Sequence, residues 1–501
     1  MRAWFALAAV SIAILPAACA RVPAGHGTLS ERGRFAAMFA RGYVPGRSGQ
    51  LFVVPDSGYF LLRRSDKLHP FQHGTPWPSD TRIPLLFWGA PFVRAGTYAD
   101  TVSLQSVAPT LLGFVRAQAP PSMTGRRLDQ IIAGAPQMPA VVVLIMLDGM
   151  GRATWDHWES SLTTLRQLKE GGAWFENATL DYLPTVTAVG HATVSTGTDP
   201  RFHGIHANAI LEGDSSGDMY HGRRMRPDSL RVPTLADVWA RAFPESAAIV
   251  VHGTSSRATV ALAGHGASLD GGRAITVAML DERLQGWFSG DSCYQPVPAS
   301  LRTGTRWASY RAHQALPDTS WELFLRTPWL ADLEGDALVE LIRSERLGRH
   351  DRFPDLLLIN LKTPDYVSHR YGPMSVEADT ALRHLDRALG RVVNSLTAAA
   401  GSRGFVLAVT ADHGMPTARM AGEDSLTAQS LCEALRTHFG LDSTVVLRYY
   451  DGASHQLYVD RTALAARHHT LDELRGYLET LPRIRYAFTE DDLQRVTLPS
   501  R

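Results

Sequence analysis

Five short apolar runs punctuate the chain: Pro84–Trp88, Val141–Leu147, Ala248–Val251, Leu356–Leu361 and Phe405–Val409. Helix-like stretches separate them. A nearly continuous apolar run leaves no solvent face, so it predicts a strand covered on both sides. Such strands alternating with helices predict an α/β fold, a mostly parallel sheet sandwiched by helices. Sheets of this kind collect ligands just beyond the carboxyl ends of their strands. The residues that follow the runs therefore carry the functional expectation: Asp148 after Leu147, Asp365 shortly after Leu361, and Asp412 with His413 after Val409.

Between about 209 and 352 the pattern loosens into Gly- and Ser-rich turns and a Trp-rich segment. One more sheet strand and a small cap subdomain are expected there. The sequence contains no internal repeat, low-complexity tract or heptad run.

Residues 1–20 stand apart from the fold. Arg2 precedes an apolar run, Ala3 to Leu15, and then the small residues Ala17, Ala18, Cys19 and Ala20. A positive start, a short apolar stretch and a small-residue cleavage site predict an export signal. Two cleavage readings stay open: ordinary signal peptidase at Ala18-Cys19-Ala20, or a lipoprotein box ending at Cys19, in which Pro16 replaces the usual Leu. Either predicts an exported protein, periplasmic or extracellular, and the second a lipid anchor at Cys19 as the one link to a membrane.

At 501 residues with a formal net charge of +1, the chain is long enough for one large catalytic domain with an insertion, and its charge gives no reason to expect binding to duplex nucleic acid. After the signal only Cys293 and Cys432 remain. They form at most one bridge; the alternative is two small buried hydrophobes.

The strand-end residues combine into a chemical set. Thr187 lies in VTAVGHATVSTG, a Gly-containing turn before a helix. Asp365 and His369 are four apart in TPDYVSHRYGP, so one helical turn aims both at one point. Carboxylates and imidazoles at a sheet-edge crevice suit zinc. Singly, each has an ordinary alternative. Asp148 or Thr187 would serve as a helix cap, and Asp365 with His369 as a surface pair.

Together, the strings LDGMG, TxxGHATxxTGxxPxxHGI, PDYVSHRYGP and TADHGM resemble the alkaline phosphatase superfamily. Within it they are most similar to the Thr-nucleophile branch of nucleotide pyrophosphatase/phosphodiesterases and related bacterial alkaline phosphatases. The resemblance implies an alkaline phosphatase-like fold, two Zn2+ and a small-molecule phosphate ester as substrate. It assigns Asp148, Thr187, Asp412 and His413 to one zinc ion, and Asp365, His369 and one further His to the other.

In the family that last His stands near the C-terminus, in a string such as HGTxYxYDxxVP. No such string follows His413. His455 in GASHQLYVDR matches an earlier, non-ligand strand. The expected string stands instead near the N-terminus, at His73 in HGTPWPSDTRIPLLFWGA. The resemblance therefore implies a circular permutation, in which residues 21–137 (the matching strings span about 30–135) are the family's C-terminal part moved ahead of 138–501. The competing arrangement is an accessory domain before an enzyme that has lost one metal.

By the same resemblance Thr187 attacks phosphorus and forms a phosphothreonine. Asn208 and Arg257 fall where the bacterial monoesterases contact phosphate, while Ser255 replaces their neighbouring Lys. Loss of that cation favours a diester over a dianionic monoester. A phosphoethanolamine-type transferase and a noncatalytic binding protein on the same fold are the alternatives to hydrolysis.

Overall fold

A computed structural model describes residues 29–62, 69–212, 215–244, 247–269, 274–281, 286–290, 292–302, 321–350, 352–417, 426–446 and 454–498. Residues 1–20, expected to direct export, and Cys19 with them lie outside these residues. Strands in chain order are β1 (Leu51–Pro55), β2 (Leu85–Trp88), β3 (Gly96–Ser103), β4 (Val141–Leu147), β5 (Ala173–Thr179), β6 (Ala209–Glu212), β7 (Ser215–Asp218) and β8 (Ile249–Gly253). They continue with β9 (Ile275–Asp281), β10 (Gly286–Phe288), β11 (Tyr294–Gln295), β12 (Asp355–Leu361), β13 (Phe405–Thr410), β14 (Gln456–Leu457) and β15 (Ile484–Thr489).

Ten strands build one sheet in the order β10-β9-β8-β12-β4-β13-β2-β5-β3, with β11 beside β9. All five apolar runs enter it. The central strands β8, β12, β4 and β13 are parallel neighbours and buried at every position. Along β4, Val142, Leu144 and Met146 face one core, while Val141, Val143, Ile145 and Leu147 face the other. Helices cover both faces, which is why these strands are apolar at nearly every position, His252, Asp355, Asn360 and Thr410 being buried exceptions toward the strand ends.

Register brings the strand ends level. Leu147 pairs with Leu361, so Asp148 and Lys362 are the first residues beyond two adjacent strands. Met146 pairs with Thr410, which sets Asp412 opposite Asp148. β2 runs antiparallel to β13, with Leu85 opposite Thr410. Its beginning therefore lies at the edge where its parallel neighbours end. The segment that leads into β2, and carries His73, is delivered to the same edge.

The N-terminal segment is woven into the molecule rather than appended to it. β2 is inserted between β13 and β5, and β3 closes the sheet edge. β1 forms a second, smaller sheet with β14 and β15. The two ends of the described chain also meet. Tyr43, after the first helix Glu31–Gly42, donates a 2.7 Å hydrogen bond to Glu490, and Arg485 pairs with Glu31 at 3.1 Å.

The stretch 209–352 gives four strands, β8 to β11, to the main sheet where one was expected. β10 and β11 have three and two residues, too few to register as a period in sequence. Only the hairpin β6–β7 forms a sheet of its own there, among the described residues. Cys293 and Cys432 are both buried and no disulfide joins them, so the expected bridge is not formed. No helix among the described residues is long and apolar enough to cross a membrane.

Candidate active site

Of the seven expected ligands, Asp148, Asp412 and His413 follow strands of the main sheet, Thr187, Asp365 and His369 lie on helices, and His73 arrives with the loop before β2. Thr187 opens the helix Thr187–Thr196. Gly190 lets this helix lie against the end of β13, since a Cβ there would stand 2.6 Å from the Asp412 Cβ. Asp365 and His369 share the helix Thr363–Tyr371, one turn apart as expected. The ligand atoms of His73, Asp365 and His369 lie within 4.8 Å of one another, and so do those of Asp148, Asp365 and His413.

The rings of His73 and His413 stack with centroids 3.5 Å apart. Hydrogen bonding fixes how these imidazoles present themselves. His73 Nδ1 faces the Thr185 carbonyl at 2.9 Å, His369 Nδ1 that of Phe71 at 2.7 Å, and His413 Nδ1 that of Gly414 at 3.0 Å. A carbonyl can only accept, so each Nδ1 carries a proton and donates it. Each Nε2 is thereby the ring nitrogen that faces the carboxylates, the arrangement of metal-binding histidines. His369 Nε2 is 3.2 Å from Asp365 Oδ1, and His413 Nε2 is 3.3 Å from Asp412 Oδ2.

The donor set fits a divalent cation. Asp365 Oδ1, Asp412 Oδ2 and His413 Nε2 are buried and make no hydrogen bond. Buried polar atoms of this kind are costly unless something binds them. His191 also approaches Asp412, at 3.3 Å. It is a poor ligand, however, because Nδ1 bonds to the Thr187 carbonyl and Nε2 accepts from Asn360, both at 2.9 Å.

Electrostatics follow from three buried carboxylates, Asp148, Asp365 and Asp412. Burial, together with the Asp412 charge, pushes the Asp148 carboxyl upward. Burial also opposes ionisation of Asp365, yet His369 and Lys362 outweigh it and hold that carboxyl well below its usual range. Asp412 is lowered in the same way, burial being outweighed by His413 and His191. Burial, reinforced by His413, keeps the His73 imidazole far below its ordinary value and hence neutral.

The expected phosphate contacts sit nearby. Asn208 Oδ1 accepts from the Ala188 N–H at 2.9 Å, so it binds the first turn of the helix that begins at Thr187. Arg257 lies 3.9 Å from Asp218 and lines a cavity of about 660 Å³ with Ser255, Tyr366, Arg223 and Arg224. His455 is buried against Phe60, with ring centroids 4.8 Å apart.

Sequence reasoning missed Lys362. Its ammonium is buried and contacts Asp148 Oδ1 at 2.7 Å, Asp365 Oδ2 at 2.8 Å and Thr187 Oγ1 at 3.1 Å. Burial disfavours the charge, but Asp148 and Asp365 more than compensate, and its pKa is raised. The signal was present, since Lys362 follows an apolar run just as Asp148 does. Asn360, within β12, donates to Asp148 Oδ2 at 2.9 Å and was also unforeseen. Beneath them Glu334 accepts from the Lys362 N–H and the Thr254 and Thr363 hydroxyls; burial raises it to about 7.

A mostly parallel α/β sheet, with a threonine, carboxylates and imidazoles gathered at its carboxyl edge, defines the class: an alkaline phosphatase-superfamily protein. The chain belongs to the type I phosphodiesterase / nucleotide pyrophosphatase family, whose sequence profile matches residues 142–499. At the level of the family this is phosphoester hydrolysis. Alkaline phosphatase PafA of Elizabethkingia meningoseptica is 26% identical over 432 residues, covering 72% of this chain and 77% of that protein. Alkaline phosphatase PhoK of a Sphingomonas species is 25% identical over 437 residues, covering 74% and 73%. A venom phosphodiesterase of Macrovipera lebetinus is 23% identical over 287 residues, 57% of this chain but 26% of the venom protein. The crystal structure of wild-type PafA shares the fold, with a TM-score of 0.60 at 21% identity over 73% of this chain and 81% of that one.

Proposed function

We propose that the chain hydrolyses phosphate esters with Thr187 as nucleophile and two Zn2+ as cofactors. His73, Asp365 and His369 would hold one ion, and Asp148, Thr187, Asp412 and His413 the other. The observation that carries this reading is that the Lys362 ammonium joins Thr187 Oγ1 to the buried carboxylates of Asp148 and Asp365, beside imidazoles whose Nε2 atoms face inward. When bound, zinc would lower the pKa of the threonine hydroxyl and stabilise charge on the leaving oxygen. Thr187 Oγ1 forms the new bond to phosphorus as the bond to the ester oxygen breaks. Water then cleaves the phosphothreonine and returns the hydroxyl. Asn208, fixed on the Ala188 N–H, and Arg257, at the cavity wall, orient the nonbridging oxygens.

The permuted order of the chain belongs to the same proposal. Three features support it: His73 in the second ligand set, β2 inside the main sheet, and the Tyr43–Glu490 contact between the first and last described segments. Ends that meet at the surface are where a chain tolerates being cut and rejoined. Export remains part of the proposal and rests on residues 1–20 alone.

Ser255 leaves the cavity without a lysine at that wall, which favours a diester. The test compares kcat/KM for a chromogenic phosphate monoester and the matching diester, with metal analysis on the same sample. Hydrolysis with the diester preferred and two zinc ions per chain is expected. Inertness toward both substrates in zinc-loaded protein would sink the reading.

A further inference from the structure

Lys362 has no part in the reaction as drawn above, yet no other side-chain nitrogen is recorded in a hydrogen bond to Thr187 Oγ1 among the described residues. We propose that Lys362 is a catalytic residue. Its ammonium donates to Thr187 Oγ1 and holds a fixed positive charge against the nucleophile. This rests on Thr187 being the nucleophile, and adds a cation to those the ligand sets would bind.

Three observations carry it. The ammonium is aimed, because Asp148 Oδ1 at 2.7 Å and Asp365 Oδ2 at 2.8 Å hold two of its protons while the third points at Thr187 Oγ1, 3.1 Å away. Its position is set by the strand register that puts Lys362 level with Asp148, and the backbone is tied down by Glu334. Finally, although Lys362 takes Asp148 Oδ1 and Thr187 Oγ1, it leaves other ligand atoms open: it uses Asp365 Oδ2, while Asp365 Oδ1, Asp412 Oδ2 and His413 Nε2 remain unbonded. Cation binding and the lysine therefore do not claim the same atoms of Asp365.

As the Oγ1–P bond forms and the ester P–O bond breaks, the threonine proton passes to water and the bonding pair leaves with the ester oxygen. Negative charge on Oγ1 during attack is met by a donor already in place, the preorganised stabilisation that speeds charge-forming steps. When water cleaves the phosphothreonine, Oγ1 is the leaving atom and the same charge returns to it. One lysine thus serves both halves of the reaction. It also brings into the site, from the β12 side, the positive charge that Ser255 lacks.

The experiment compares wild type with Lys362→Met and Lys362→Gln, measuring bound metal, steady-state kcat/KM and single-turnover phosphorylation of Thr187. Unchanged metal stoichiometry is expected, with kcat/KM and the phosphorylation rate both reduced by about 100- to 1000-fold, the usual cost of removing such a donor. Activity within threefold of wild type would overturn the proposal. So would a changed metal count: a gain would make the ammonium a stand-in for an ion, and a loss would make it a support for the ligands. Failure of both variants to fold would assign Lys362 to structure and overturn it as well. Thr187→Ala is run alongside; if it hydrolyses ester normally, the nucleophile reading has failed instead.

Discussion

The rings of His73 and His413 stack 3.5 Å apart and within 11° of parallel, although one residue precedes the main sheet's first strand and the other follows its last. The contact exists because β2 runs against β13, so the loop entering β2 meets the loop leaving β13. A chain carrying an unrelated N-terminal domain would have no reason to bury a neutral imidazole there. His73→Ala should therefore lower zinc content by one ion per chain and depress kcat/KM sharply. Unchanged stoichiometry and activity would contradict the permuted arrangement.

Gly190 makes a separate prediction about geometry. An alanine Cβ at this position would lie 2.6 Å from Asp412 Cβ and 2.7 Å from the Asp412 carbonyl oxygen. Both belong to a buried strand end, so the helix bearing Thr187 must yield. Displacement of about 1 Å at a reacting atom costs on the order of 100-fold in rate. Gly190→Ala should lose about that much kcat/KM while keeping its circular dichroism spectrum. Full activity would mean that the helix and Asp412 need not be in contact.

Acid stability follows from four buried histidines. Burial lowers His203, His252 and His455 to about 3 and His206 to about 4, against an ordinary value of 6.5. A depressed folded-state pKa contributes stability that is present above pH 6.5 and lost as pH falls toward those values. Each therefore destabilises the folded state progressively as pH falls through that window. Asp80 and Glu334 act in the opposite sense, because burial raises them to about 6 and about 7, and they offset part of the loss. The urea midpoint should fall between pH 7 and pH 5, and more steeply below pH 4. A level or rising midpoint would contradict the buried neutral state of these residues.

Much of this was legible in sequence because apolar continuity and strand ends are local signals. The strands β4, β8, β12 and β13 announce themselves, and Asp148, Asp412 and His413 follow directly from where two of those runs stop. The i,i+4 spacing of Asp365 and His369 is visible as well. His73 needed a comparison of string order, since nothing within residues 69–82 says which sheet edge they will reach; the antiparallel sense of β2 decides that. Lys362 was passed over because a lysine after an apolar run reads as a solvated end. Only the register with Asp148 reveals that it is buried. The short strands β10, β11 and β14 carry too few residues for any period to appear.

The central claim is that Thr187 Oγ1 takes the phosphoryl group. The most direct measurement is to quench zinc-loaded protein during turnover of a phosphate ester and map covalent phosphate by peptide mass spectrometry, with Thr187→Ala as the control. The account predicts phosphate on Thr187 and an inert control. Phosphate on another residue, or a Thr187→Ala protein that turns over normally, would contradict it.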